Sequence, residues 1–295
     1  MNQESLFSIS PLDGRYENAV SALREITSEY GLIKYRYLIE IKWFIHLSKN
    51  PQIKELPKLD IKDYLYLNDL INNFDIKDAK RVKTIEKKTN HDVKAIEYFI
   101  REKFKKHKKL SKYQEFIHFA CTSEDINNLS YALMIKEAKS ITKAAINETN
   151  KKIKQLANKY KKISMLSRTH GQNASPTTMG KEFANFHHRI NKISLSVDQR
   201  IMTGKINGAV GNYNAHRVAY PEIDWQKISN QFVRSLKLDF NSHTTQIEPK
   251  DTIALLLGDY VKLNNVFIDM SRDIWGYISL AVSYTHLTLP TISDV

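Results

Sequence analysis

The 295-residue sequence predicts an all-α protein: an N-terminal helical domain followed by a long-helix bundle, incomplete in this chain, that would assemble with other subunits. Three observations carry that prediction. Gly (9) and Pro (7) make up about 5% of the residues, against about 12% in average usage, so turns are few and elements long. Residues 123–160 contain neither, while Ile126, Leu129, Leu133, Ala138, Ile141, Ala145, Ile153, Leu156 and Tyr160 recur at helical intervals. The long elements lack the period-two alternation of a half-buried strand.

The elements follow in order. Residues 20–50 carry apolar side chains every three or four positions, and Pro51 closes that helix. Shorter helices are expected over 61–73, 76–87 and 91–106, which completes an N-terminal domain over 1–110. The bundle domain, 111–281, holds three long helices. The first, 123–160, would run about 55 Å at a rise of ~1.5 Å per residue. The second, 178–202, places Phe183, Phe186, Ile190, Ile193, Val197 and Ile201 three or four residues apart. The third starts near Asp251 and is apolar on more than one side, at Leu255, Leu256, Leu257, Val261, Phe267 and Ile268. A helix apolar nearly all round is buried nearly all round, which predicts bundle association between subunits.

The tail 282–295, VSYTHLTLPTISDV, loses helical periodicity. Its first ten residues look like the in-frame translation of a transposase-end adapter from shotgun sequencing libraries. On that reading the natural chain is cut near Ala281 and His286 has no functional meaning; the alternative is a natural short strand.

Composition narrows the function classes. A single Cys121 excludes an internal disulfide and fits a reducing, cytoplasmic setting. The start, MNQESLFSIS, lacks the basic and apolar regions of a secretory signal, and no stretch is apolar for long enough to span a bilayer. The net charge of +13 is spread over lysine-rich segments such as 102–112 and 151–162, interrupted by apolar residues at helical spacing. They read as solvated helix faces whose field would attract small polyanions.

Polar clusters fall where helices begin or end. In SPLDGRYENA (10–19), Arg15 and Tyr16 follow an Asp-Gly turn and suit a phosphate or carboxylate. In TNHDVKA (89–95), Thr89 or Asn90 can cap a helix beginning near His91, and His91 and Lys94 would share a face. No metal site is expected, because neither an HExxH motif nor a cysteine pair is present. In HFACTSEDINN, Thr122 and Asp125 match a loose capping box, and the hydroxyls of Thr122 and Ser123 sit at a helix start suited to anions. His118 and Cys121 read as packed interior groups.

LSRTHGQNASPTTMGKE (166–182) breaks two long helices to present Arg168, Thr169, His170 and Gln172 together. TGKINGAVGNYNAH (203–216) has Gly204, Gly208 and Gly211 within eight residues, a tight backbone path rather than a Walker loop. HTTQIEPKD places Gln246 just before the third long helix. Each cluster alone has a structural explanation. Antiparallel bundle helices bring their ends together, however, and the combined set would make an anion pocket containing a neutral-pH acid–base.

Taken together, SPLDGRYENAVSALR, KTIEKKTNHDVKAIEYFIREK, EFIHFACTSEDINNLSYALM, LSRTHGQNASPTTMGKE, GKINGAVGNYNAH and TTQIEPKD resemble the adenylosuccinate lyase family of the fumarase/aspartase superfamily, from the N-terminus to about Leu280. The resemblance implies β-elimination of fumarate from adenylosuccinate, giving AMP, and from SAICAR, giving AICAR. It assigns His170 as the catalytic acid and Arg15, Tyr16, Asn90, His91, Asp92, Thr122, Ser123 and Gln246 as substrate contacts. It implies no cofactor and a homotetramer with active sites shared between subunits. Asn173 stands where relatives commonly have Pro. The family's SSxMPxKxNP loop, which supplies a serine base, is absent from these 295 residues, so little or no lyase activity is expected of this chain.

Two rivals remain. One is another superfamily lyase, such as one acting on argininosuccinate. The other is a non-catalytic basic helical binding protein; it predicts steep salt dependence on nucleic acid, but no RNP motif or Arg-rich recognition helix supports it.

Overall fold

The computed structural model describes residues 7–282. Among them the elements run α1 (Ser21–Thr27), α2 (Glu29–Leu47), α3 (Ile61–Asn72), α4 (Ile76–Thr89), α5 (Asp92–Lys105), a 3-10 helix (Leu110–Phe116), α6 (Ser123–Lys159), β1 (Ser164–Thr169), β2 (Gln172–Thr178), α7 (Met179–Gln199), β3 (Thr203–Gly204), α8 (Asn214–Ala219), α9 (Trp225–Ser235), β4 (Asp239–Phe240) and α10 (Asp251–Ser279). The mostly helical class expected from the sequence is what forms. The reading of the 282–295 tail, including His286, lies outside the described residues beyond Val282. No helix among the described residues is long and apolar enough to cross a membrane.

Contacts group the chain into two units. The first takes residues up to Ile141 and then Ile201–Lys250; the second takes Thr142–Arg200 and the residues from Asp251.

In the first unit the helix expected over 20–50 is two helices. Ser28 breaks it with an extended backbone (φ −82°, ψ 174°), and its hydroxyl accepts the Gly31 N–H, capping α2. The short side chain of a serine competes well for an unpaired first-turn N–H, which a reading of apolar spacing alone overlooks. Beyond the cap, α2 buries Tyr37, Ile39, Ile41, Trp43, Phe44 and Leu47 to within 1% of full enclosure. Tyr37 packs against Phe74 and Phe99, Phe44 meets Phe104 edge-on at 4.9 Å, and Trp43 meets Phe232 of α9 at 5.0 Å. Such aromatic pairs contribute about 0.5–1.5 kcal/mol each beyond area burial. Asp60 and Asp63 form a capping box on α3, and Asp75 accepts the Lys77 and Asp78 N–H groups on α4. The sequence reading did not include α9; Asp224 caps it by accepting the Lys227 N–H at 3.0 Å.

The second unit packs α7 and α10 with the C-terminal part of α6. Its core is Ile153, Met179, Phe183, Phe186, Ile190, Leu263 and Val266. The stripe expected on α7 is therefore buried at Phe183, Phe186 and Ile190. On α10 only part of the apolar surface is covered: Leu256, Leu263 and Val266 are enclosed, while Leu255, Leu257, Val261, Ile268 and Trp275 stand exposed.

The stretch from 164 to 178, expected as a helix break, is an antiparallel hairpin. Thr169 pairs with Gln172 at its tip, and a bulge separates Leu166 from Arg168. Met165 and Ser167 are half-buried between exposed neighbours, a period-two pattern that six residues carry too briefly to stand out beside long helices.

Candidate functional site

The first cluster sits at the start of α5. Asn90 ends α4 in the left-handed region (φ 50°), a conformation Asn tolerates, and its N–H donates to the Glu86 carbonyl at 2.8 Å. It is therefore a C-terminal cap of α4. Neither Asn90 nor Thr89 caps α5 as expected; His91 does, its Nδ1 accepting the Lys94 N–H at 3.1 Å. Asp92 takes the Arg36 guanidinium at 2.6 Å and the Val93 N–H at 2.8 Å. Burial alone would raise the Asp92 carboxyl; the Arg36 charge and hydrogen bond, the Val93 N–H and His91 together outweigh it and hold the group below the ordinary carboxylate range. Arg36 is buried and also donates to Asn127 at 2.8 Å, tying the first turn of α5 to α6.

The second cluster leads into α6. His118 and Ala120 both have φ near +57° (58° and 57°), a conformation that costs L residues roughly 1 kcal/mol or more. Two contacts pin this path. His118 Nδ1 meets Glu40 Oε1 at 2.5 Å, and Trp43 Nε1 donates to the Phe119 carbonyl at 3.1 Å. Burial pushes the His118 imidazole down, but the Glu40 carboxylate more than compensates, so its pKa ends raised. Burial also pushes the Cys121 thiol up. His118 and Cys121, expected as packed interior groups, are both partly buried.

At the start of α6, half of the expected capping box forms. Asp125 Oδ2 accepts the Thr122 N–H at 2.8 Å. The Thr122 hydroxyl instead accepts from Gln246 Nε2 at 3.3 Å, which joins two of the sequence-predicted residues directly. Ser123 is the first residue of α6 beside them. Gln246 is exposed and its loop is anchored by Glu248, a buried carboxylate that accepts from Thr203 Oγ1 at 3.0 Å, Asn241 Nδ2 at 3.2 Å and the Lys250 N–H at 2.7 Å. Gly211 fixes the same loop from the other side. It has φ 82°, and a Cβ there would stand 2.1 Å from the Thr244 carbonyl oxygen. Gly211→Ala is expected to destabilise by about 2 kcal/mol, combining backbone strain with a steric shift of residues 244–246. Denaturant titration checks it, and an unchanged midpoint would refute it.

Sequence reasoning missed the group that organises this cluster. Asp125 and Lys205 are both fully buried, 2.8 Å apart. The signals were a lysine inside the Gly-rich stretch 203–211 and an aspartate three residues past a threonine; neither pattern states that the two meet. Arg36 was missed for the same reason.

Arg15 and Tyr16 lie in the turn-rich stretch before α1, both exposed, the guanidinium 5.6 Å from the ring centroid. Among the described residues no bond joins them to Thr122 or Gln246.

His170 belongs to the second unit. It occupies the hairpin tip with φ 52°, followed by Gly171 with φ 76°. Two central residues at positive φ between paired Thr169 and Gln172 make the tight primed turn that matches strand twist. The imidazole is thereby held out, exposed, on a two-residue turn. Among the described residues, no three His, Cys, Asp or Glu side chains group as metal ligands.

The chain matches the family described as Lyase over residues 14–293. It is 50% identical over 281 residues to the adenylosuccinate lyase of Legionella pneumophila (strain Corby) and likewise to that of Escherichia coli (strain K12), each alignment covering 95% of this chain and 62% of the relative. The adenylosuccinate lyase of Haemophilus influenzae is 49% identical over 283 residues at the same coverage. The chain thus spans about three fifths of the length of these curated relatives. Among solved structures, a fumarate lyase from Mesorhizobium sp. BNC1 superposes with a TM-score of 0.72 at 15% identity, covering 88% of this chain and 57% of that one, a likeness of fold. A helical fold of this likeness and a family match covering nearly the whole length lead to one statement: the chain belongs to the lyase family.

Proposed function

We propose that the protein acts in β-elimination of fumarate from adenylosuccinate and SAICAR, giving AMP and AICAR, as the names of its half-identical relatives suggest for the first of these substrates. A base removes the proton beside a carboxylate, the C–N bond breaks with its electron pair going to the purine-side nitrogen, and an acid protonates that nitrogen. His170 supplies the acid, its imidazole presented on the exposed hairpin tip. Thr122, Ser123 and Gln246 donate to the succinyl carboxylates, and Arg15 with Tyr16 takes the phosphate. Asn90, His91 and Asp92 complete the substrate contacts. The single observation that carries this reading is the Gln246–Thr122 contact, which sets an amide and a hydroxyl side by side at the start of α6. The reaction balances with no cofactor.

The protein works as a homotetramer in the cytoplasm, with 1–110 and 111–281 as its domains in the assembled form. The exposed Leu255, Leu257, Val261, Ile268 and Trp275 of α10 support that assembly, since a helix bearing so many apolar residues gains by being covered. The test is chromatographic detection of fumarate from adenylosuccinate by the full-length gene product, with sedimentation at micromolar concentration. Turnover by a tetramer is expected. A full-length product that releases no fumarate overturns the activity, and a monomer overturns the assembly.

A further inference from the structure

We propose that Asp125 and Lys205 form a buried positioning pair for the carboxylate-binding donors at the start of α6, acting on substrate affinity while touching no substrate. This rests on the reading above for the identity of the ligand, but the geometry stands independently. Both side chains are fully enclosed, with Lys205 Nζ 2.8 Å from Asp125 Oδ1. The carboxylate also accepts three backbone N–H groups: Asn207 at 3.0 Å on Oδ1, and Gly208 at 3.1 Å and Thr122 at 2.8 Å on Oδ2. One side chain thus fastens the residue before α6 to the loop after β3. That loop reaches the stretch carrying Gln246 through Asn207 Nδ2, which donates to Thr244 Oγ1 at 2.8 Å, two residues before Gln246.

The arrangement is more than a cap needs. A helix N-terminus is satisfied by one exposed side chain, whereas here a carboxylate and an ammonium are both withdrawn from water. Four donors around one carboxylate supply a reason for that cost: they fix the Thr122 N–H and the loop carrying Thr244 relative to one another. Thr122 and Gln246 then hold their mutual distance before any ligand arrives. Asn128 braces the same point, its Oδ1 accepting the Lys205 N–H at 2.9 Å and its Nδ2 donating to the Lys205 carbonyl at 3.1 Å.

Asp125→Asn alone leaves the Lys205 charge buried without a partner and threatens folding. The informative variant is Asp125→Leu with Lys205→Met, which removes both charges at similar volume. Its side chains accept no hydrogen bond, so the three backbone N–H groups lose their shared acceptor while the core remains filled. In the full-length gene product, KM for adenylosuccinate is expected to rise about tenfold or more, with kcat changed far less. Simple loss of folded protein would lower apparent kcat at constant KM, and that result overturns the proposal. Hydrogen exchange on the same variant gives a second readout that does not depend on turnover. Amides of residues 122–125 and 205–208 are expected to exchange about tenfold faster or more, while those of α2 keep their protection. If the wild-type product shows no lyase activity, the substrate reading fails, and exchange alone then judges the clamp: unchanged rates at 122–125 overturn it.

Discussion

His170→Asn in the full-length gene product is expected to lower kcat for adenylosuccinate by a factor of about 10²–10⁴, the usual worth of a positioned general acid. The choice of asparagine follows from the backbone. His170 has φ 52° and precedes Gly171 at φ 76°, so the hairpin tip needs a residue that accepts the left-handed region. Asparagine does so readily, and Asn-Gly is the favoured pair for this turn. Alanine would remove the imidazole and strain the turn together, leaving the cause of lost activity ambiguous. With the turn intact, the Thr169–Gln172 pairing survives and the circular dichroism and melting temperature stay close to those of the parent. A variant that keeps kcat within about threefold of the parent would remove His170 from the mechanism, since general acids contribute far more than that. Addition of free imidazole offers a chemical check, because an exposed tip leaves room for it to enter.

How legible this was in the sequence depends on the range of the interaction involved. The long helices announce themselves because Ile126 to Tyr160 and Phe183 to Val197 repeat one local rule many times. The break at Ser28 does not, because a single hydroxyl accepting one N–H decides it. The hairpin lay hidden for a related reason: its alternation runs for six residues, and its turn depends on His170 adopting a backbone that most residues avoid. The candidate site splits the same way. Thr122 and Gln246 stood out by residue type, and the structure adds that they touch across 124 positions of sequence. Asp125 and Lys205 are 80 positions apart and meet in the interior, where neither residue type is expected. Long-range pairing of buried charges leaves no periodic trace, so spacing rules cannot recover it.

The largest stability effect is expected from acid and one histidine. His216, on α8, is fully buried among Phe119, Tyr213 and Trp225, with ring centroids 6.4, 5.5 and 4.8 Å away. Among the described residues, neither ring nitrogen has a hydrogen-bond partner. Burial drives its pKa down from 6.5 to about 4; Asp125 pulls it up and Lys205 pushes it down, and neither reverses the effect of enclosure. The unfolded chain, with an ordinary imidazole, therefore binds a proton from about pH 6.5 downward, while the folded chain refuses it until about pH 4. Protons taken up only by the unfolded state favour unfolding. The contribution of His216 is thus intact above pH 6.5 and lost as pH falls toward 4, by about 3 kcal/mol at 1.36 kcal/mol per pKa unit. Other groups titrate over the same window, His118 with the opposite sign through Glu40, so the useful quantity is a difference. Replacing His216 with Phe keeps an aromatic ring in an aromatic cage and removes both unpaired nitrogens and the titration. Urea unfolding of parent and His216→Phe at pH 7, 5.5 and 4.5 should show the parent losing ground steadily to the variant as pH falls. A difference that stays flat across that range would mean the imidazole is protonated or solvated in the fold, and the buried neutral ring would have to be abandoned.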